Sequence, residues 1–98
     1  MALVNLQGVF TGTSVLYTAP TGKKATVKYI RFNCPNAYDL TLTKFDYSLS
    51  STATLYDLTL DAGDSVIDNT EYFLEFSDNL TATSTGLNTS YVILLDVV

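Results

Sequence analysis

The second half of this chain gathers carboxylates at Asp57, Asp61, Asp64, Asp68, Glu71 and Glu75, and these come nearest to a chemical constellation. Two carboxyl groups across a sugar could cleave a glycosidic bond, one as acid and one as base or nucleophile. Asp61 with Asp64, or Glu71 with Glu75, would supply the pair. Such a site needs a cleft with deep walls, and a chain of 98 residues has little material to raise them. Glu71 and Glu75 share strand parity, which sets them side by side on a wet face. The run Asp57, Asp61, Asp64, Asp68 also suggests Ca²⁺, which takes several oxygen ligands from a loop. Its spacing does not place carboxylates at alternate positions around a glycine, as a calcium loop requires. Asp at chain reversals bonds its own backbone, so turn building is the expected role. Histidine is absent, removing the usual general base and metal ligand. Cys34 has no second cysteine to bridge and no histidine to activate it, and reads as a buried, inert thiol. The expectation is a protein without catalysis, metal or cofactor.

The elements that would position these residues all read as strands. Residues 15–33 (VLYTAPTGKKATVKYIRFN) read as strand, tight turn, strand. Apolar residues step by two while Lys24, Lys28 and Arg31 take polar positions, and Pro20 and Gly22 mark the turn. Residues 2–10 form an earlier strand, and Pro35-Asn36 stops the one that ends at Asn33. Leu40 and Leu42 alternate with threonine, then Phe45, Tyr47 and Leu49 carry the same period shifted by one. That parity change implies a β-bulge near Thr43-Lys44. Further strands fall at 55–60, 66–67, 72–76, 80–84 and 91–98, separated by turn residues at 61–64, 68–70, 77–79 and 86–88. No stretch repeats apolar residues at helical spacing for more than a turn. About seven to nine short strands imply an all-β fold, a single antiparallel β-sandwich over residues 1–98. Without Trp or a Cys pair, immunoglobulin-type packing lacks support, and a jelly-roll-like arrangement is preferred.

Charge excludes some partners. A net charge of −5 disfavours nucleic acid, whose phosphates need clustered Lys and Arg. The longest apolar run, residues 91–95, is far short of the roughly 20 residues of a membrane span. The first ten residues lack the pattern of a signal peptide. Two glycosylation triplets, at Asn79 and Asn88, are of a kind that arises readily in a Thr- and Asn-rich chain. The basic residues lie between Lys23 and Lys44, and the acids lie at Asp39 and beyond. That asymmetry reads first as solvated strand faces; the sharper alternative is that Lys23, Lys24, Lys28 and Arg31 of one copy meet the acidic region of a neighbour, steering a head-to-tail contact. At the C-terminal end, Val92 and Leu94 are expected inside the chain's own sheet, with Leu95, Val97 and Val98 available for a subunit contact. The aromatic residues are expected to be core or cross-strand pairs.

The segments LYTAPTGKKATVKYIRFNCPNA and LTLDAGDSVIDNTEYFLEFSDNLTATST resemble a pattern in small tailed-bacteriophage virion proteins. There a YTAPxGKKA hairpin leads to a strand ending in Asn, and a Gly-Asp turn precedes the late strands. The matching residues are Tyr17, Thr18, Ala19, Pro20, Gly22, Lys23, Lys24, Ala25 and Asn33, then Leu60, Gly63, Asp64, Asp78, Leu80, Ala82 and Ser84. The resemblance implies a capsid decoration (cement) protein, made in the host cytoplasm and carried on the capsid surface of the virion. Its partners would be the major capsid protein and itself, as a homotrimer. The alternative it implies is a head-fibre or tail-fibre module that recognises a host-surface glycan. It names no catalytic residue.

Overall fold

Burial with a period of two, the mark of a strand covered on one face, runs through much of the chain. In the third strand Tyr38, Leu40 and Leu42 are buried while Asp39 between them is exposed. The computed structural model describes residues 2–98. Its strands are β1 (Ala2–Thr18), β2 (Ala25–Asn33), β3 (Tyr38–Asp46), β4 (Ser51–Leu60), β5 (Ser65–Asp68), β6 (Tyr72–Leu74) and β7 (Asn79–Val97). They form one curled antiparallel sheet of seven strands in the order β4-β3-β7-β2-β5, with β1 on β7 and β6 on β2.

The register gives the sheet four long tracks. β7 pairs with β1 from Ala2↔Val97 to Thr18↔Asn79. It also pairs with β2 from Ser90 to Val97 and with β3 from Asn79 to Ser84. β2 and β3 therefore follow one another along a single partner. β4 flanks β3, and β5 and β6 flank β2, which makes the fourth track.

Each track bends at the same level. β1 bends at Gly12 (φ 75°), β7 near Asn88 (φ 54°), and the fourth track at Gly63 (φ 80°). The second track bends at residues 34–37. Bending turns the inner faces of the two halves toward each other, over Val27, Ile30, Phe32, Leu40, Leu42, Leu80, Ile93 and Leu95. Each of these side chains contributes about 1.5–3 kcal/mol by leaving water. In β7 the buried positions run Leu80, Ala82, Ser84 and then Thr89, Ile93, Leu95. The extra step at Asn88 changes the parity, so the same face stays inward past the bend.

The corner is tightly closed. A Cβ on Gly86 would lie 2.5 Å from Cys34 Sγ and 2.9 Å from Tyr38 Cβ. Thr89 Oγ1 donates to the Gly86 carbonyl (3.1 Å), so the 2.7 Å contact between Ser84 and Thr89 must be donated by Ser84. Ser84 Oγ in turn accepts from the Gly86 N–H at 3.1 Å. Buried hydroxyls thus satisfy backbone groups that the bend removes from the ladder. Asn33 Nδ2 donates to the Gly63 carbonyl (2.9 Å) and the Gly63 N–H donates to the Cys34 carbonyl (2.8 Å), tying the second and fourth tracks together.

Three expectations change. The 15–33 segment is not a hairpin. Its turn exists, with the Lys23 N–H donating to the Pro20 carbonyl (3.0 Å) and Gly22 at φ 77°. The strands on either side, β1 and β2, both pair with β7, which lies between them. A tight turn fixes a reversal of direction, whereas adjacency is decided by the strand that best covers both edges. The strand read at 2–10 and the one that opens the 15–33 segment are one continuous strand with a bend, and so are those read at 80–84 and 91–98. The bulge near Thr43 belongs to β4: Leu42 faces Tyr56 and Thr43 faces Thr54, which leaves Leu55 as the extra residue. β3 stays in register with β7 throughout.

Candidate interaction surfaces

Bending the tracks gathers their far ends, and the turns at 19–24, 47–50 and 75–78 meet there around Asp78. Its residue is 2% exposed, and its carboxylate accepts the Tyr47 N–H (2.9 Å) and the Glu75 N–H (3.0 Å). Its carbonyl accepts the Ala19 N–H (2.9 Å), and Ser77 N–H donates to the Ala19 carbonyl (2.8 Å). One aspartate therefore holds all three turns. Its local signal was only that of a turn residue in Ser77-Asp78-Asn79, because its partners are far away in sequence.

The turns held by Asp78 expose apolar side chains. Tyr47 and Phe76 are 55% and 48% exposed, with ring centroids 6.2 Å apart, and Leu49 in the same turn as Tyr47 is 74% exposed. Large exposed apolar groups on polar-anchored turns mark a contact surface more often than a packing accident. Of the other aromatic residues, Phe10 meets Phe32 and Tyr91 edge-on at 6.2 and 6.0 Å in or beside the core, whereas Phe73 on β6 is 64% exposed.

The interface residues expected from the sequence separate into two groups. Lys23 is exposed in its turn. Lys24 Nζ lies 3.6 Å from Glu75 and Lys28 Nζ lies 3.2 Å from Glu71, within the same chain. Arg31 Nη2 donates to Ser65 Oγ at 3.4 Å. Two of the basic residues thus lie beside acids of the same chain across the β2–β6 ladder. Glu71 and Glu75 do share a wet face, each beside a lysine. Leu95 is fully buried in the core and Val97 packs partly against it, so neither offers a free surface. Val92 and Leu94 instead take the outward, half-covered positions of β7. Val98 is 65% exposed while its backbone exchanges two hydrogen bonds with Lys24 (2.9 and 3.2 Å). The missing step was the parity shift at Asn88, which reverses the inward set of β7.

The carboxylates have local duties. Asp57 accepts from Thr41 Oγ1 (3.1 Å), and the Asp64 carboxylate accepts the Asp61 N–H (3.3 Å) in the turn around Gly63. Asp68 accepts the Thr70 N–H (2.9 Å) and the Tyr72 hydroxyl (2.6 Å). Burial, and after it the bond to Asp68, push the Tyr72 hydroxyl up to about 12. Tyr56, reaching toward the same pair from β4, is held still higher by burial and then by the Asp68 charge, and its hydroxyl is buried without a partner. Among the described residues no group of His, Cys, Asp and Glu is arranged to hold a metal ion, and no cavity opens. The outward face of the β3–β4 half is largely threonine, with Thr13 and Thr83 hydroxyls 2.9 Å apart and Thr43 donating to the Thr81 carbonyl (3.3 Å).

No family model and no curated protein matches this chain. Among solved structures it is similar to a Drosophila NLP core studied for pentamer formation and histone binding, with TM-score 0.57 and 11% identity over 100% of this chain and 99% of that one. It is also similar to a chain of Bacillus endospore appendages, which are disulfide-linked pili (TM-score 0.60, 10% identity, 98% of this chain and 82% of that one). A third is a pentameric capsid protein from metagenomic phage sequences, with TM-score 0.50 and 15% identity; the match covers 95% of this chain and 59% of that one. At these identities the likeness is one of fold: an antiparallel all-β subunit found in proteins with different roles.

Proposed function

We propose that this protein is a non-enzymatic structural protein of a bacteriophage virion, a decoration (cement) protein that fastens to the capsid surface through its Asp78-anchored turns. The observation that carries this reading is the exposed Tyr47–Phe76 ring pair, with exposed Leu49 in the same turn as Tyr47, on turns bonded to one buried carboxylate. Such a surface binds without ordering itself first, which limits the entropy lost on docking. The YTAPxGKKA resemblance and the similarity in fold to a pentameric phage capsid protein both support it. The four bent tracks are read as a jelly roll, its two layers being the β2-side and β3-side halves of the sheet. The partners are the major capsid protein and further copies of this chain. A trimer follows from the resemblance, and the pentamers among the similar folds make a five-fold ring the arrangement to test beside it. Many weak contacts on one shell add by avidity.

Purified protein added to undecorated shells should bind and raise their thermal or osmotic stability, whereas the Tyr47→Ala, Phe76→Ala double variant should bind at least tenfold less. Shells that gain nothing from the wild-type protein would refute the cement reading. The Tyr47–Phe76 ring pair also favours a second reading, a head-fibre or tail-fibre module stacking a host glycan. That reading requires glycan or cell binding, with shell stability unchanged.

A further inference from the structure

β1 leaves a long edge open. Among the described residues β7 is its sole strand partner, so along Ala2–Thr18 alternate backbone groups point away from the sheet. Exposed edges of this length normally carry Lys, Pro or a bulge that blocks pairing. β1 (ALVNLQGVFTGTSVLYT) contains no charged residue and no proline, and its two irregularities, at Thr11 and Leu16, fall beyond residue 10. The opposite edge is guarded: turns at 61–64 and 69–71 interrupt it, and Asp57, Asp68 and Glu71 lie along it. On a chain of net charge −5, β1 is where a second copy can approach without like-charge repulsion.

The side-chain order selects that copy and its register. Residues 2–10 pair with β7 without a shift, so this stretch presents a regular edge. Its outward side chains are Leu3, Asn5, Gln7 and Val9, with Leu3 71% and Val9 62% exposed. An antiparallel pair of such strands, two-fold about Leu6, sets Leu3 opposite Val9 and Asn5 opposite Gln7. Slipping by two residues either way sets an apolar side chain opposite an amide. On the inner face Val4 and Leu6, half-buried at the rim of the core, would be covered by the partner's.

We propose that residues 2–10 of β1 pair with the same segment of a second copy, joining two sheets across a two-fold axis by edge pairing. The contact is separate from the Asp78-anchored end and would double any three- or five-fold ring. One strand pair is a small interface, so its dissociation constant is on the order of 10 μM.

Sedimentation equilibrium of the full chain over a range of concentrations tests it with two variants at exposed positions. Asn5→Lys with Gln7→Lys sets like charges opposite each other twice and should weaken pairing about tenfold or more. Asn5→Lys with Gln7→Glu sets Lys opposite Glu twice in this register alone and should restore it. General charge repulsion predicts the reverse order, because the double-lysine variant lowers the net negative charge. A wild-type protein without an even-numbered species at high concentration, or association indifferent to these variants, overturns the proposal. Shell binding by the double-lysine variant, measured alongside, keeps failure of this contact distinct from failure of the cement reading.

Discussion

Gly86→Ala tests the corner that folds the sheet. The added methyl would sit 2.5 Å from Cys34 Sγ and 2.9 Å from Tyr38 Cβ, with Cys34 Cβ at 3.6 Å. Cys34 is 0% and Tyr38 2% exposed, so neither can swing into solvent. Overpacking a core costs about 1–3 kcal/mol, and two hard contacts close to the backbone put this case at the upper end, about 3 kcal/mol. In a domain of this size that is roughly 12–24 °C in Tm. Cys34→Ala removes the sulfur and its 3.5 Å contact with the Leu87 carbonyl, at a cost of about 1 kcal/mol. It also vacates the space the methyl needs, leaving only the Tyr38 contact. Gly86→Ala should then cost about 1 kcal/mol, a coupling of about 2 kcal/mol between neighbours. Urea denaturation of the wild type, both single variants and the double variant, followed by tyrosine fluorescence, measures the cycle. Additive costs would refute the claim that the sulfur is what excludes a side chain at position 86.

Asp78→Ala removes the acceptor of the Tyr47 and Glu75 N–H groups, and should cost about 3 kcal/mol at neutral pH and speed hydrogen exchange at those two amides. Tyr56→Phe deletes a buried hydroxyl that has no partner, so stability should hold or rise by up to about 1 kcal/mol; a clear loss in thermal unfolding would show an unseen bond. The Tyr72 hydroxyl, at about 12 when folded against the ordinary 10, stays protonated where the unfolded chain has released its proton. Stability is therefore intact below pH 10 and falls as pH rises from 10 through 12, and Tyr72→Phe should flatten that decline in Tm. Lys28→Ala breaks an exposed pair with Glu71 and should cost no more than about 1 kcal/mol, an effect that fades in high salt.

By itself the sequence determined that this chain is built of antiparallel strands, because period-two burial, β-branched residues and turn residues act over a few positions and need no partner. Pro20 with Gly22 and Asp61 through Asp64 were legible as turns for the same reason, and their backbone bonds form where expected. Only the tertiary structure decided which strands touch. β7 comes last in the chain, yet it lies between β1 and β2 and separates what looked like a hairpin. Asn88 and Gly12 looked like strand ends but bend strands that continue, because both sides keep the same partner across the bend. That bend reversed the parity of β7, sending Leu95 into the core and Leu94 outward. Asp78 became the anchor of the candidate site through partners at Ala19 and Tyr47, brought near by folding the sheet on itself. Local preferences are set by neighbours in sequence, whereas pairing and burial are set by what the rest of the chain leaves uncovered.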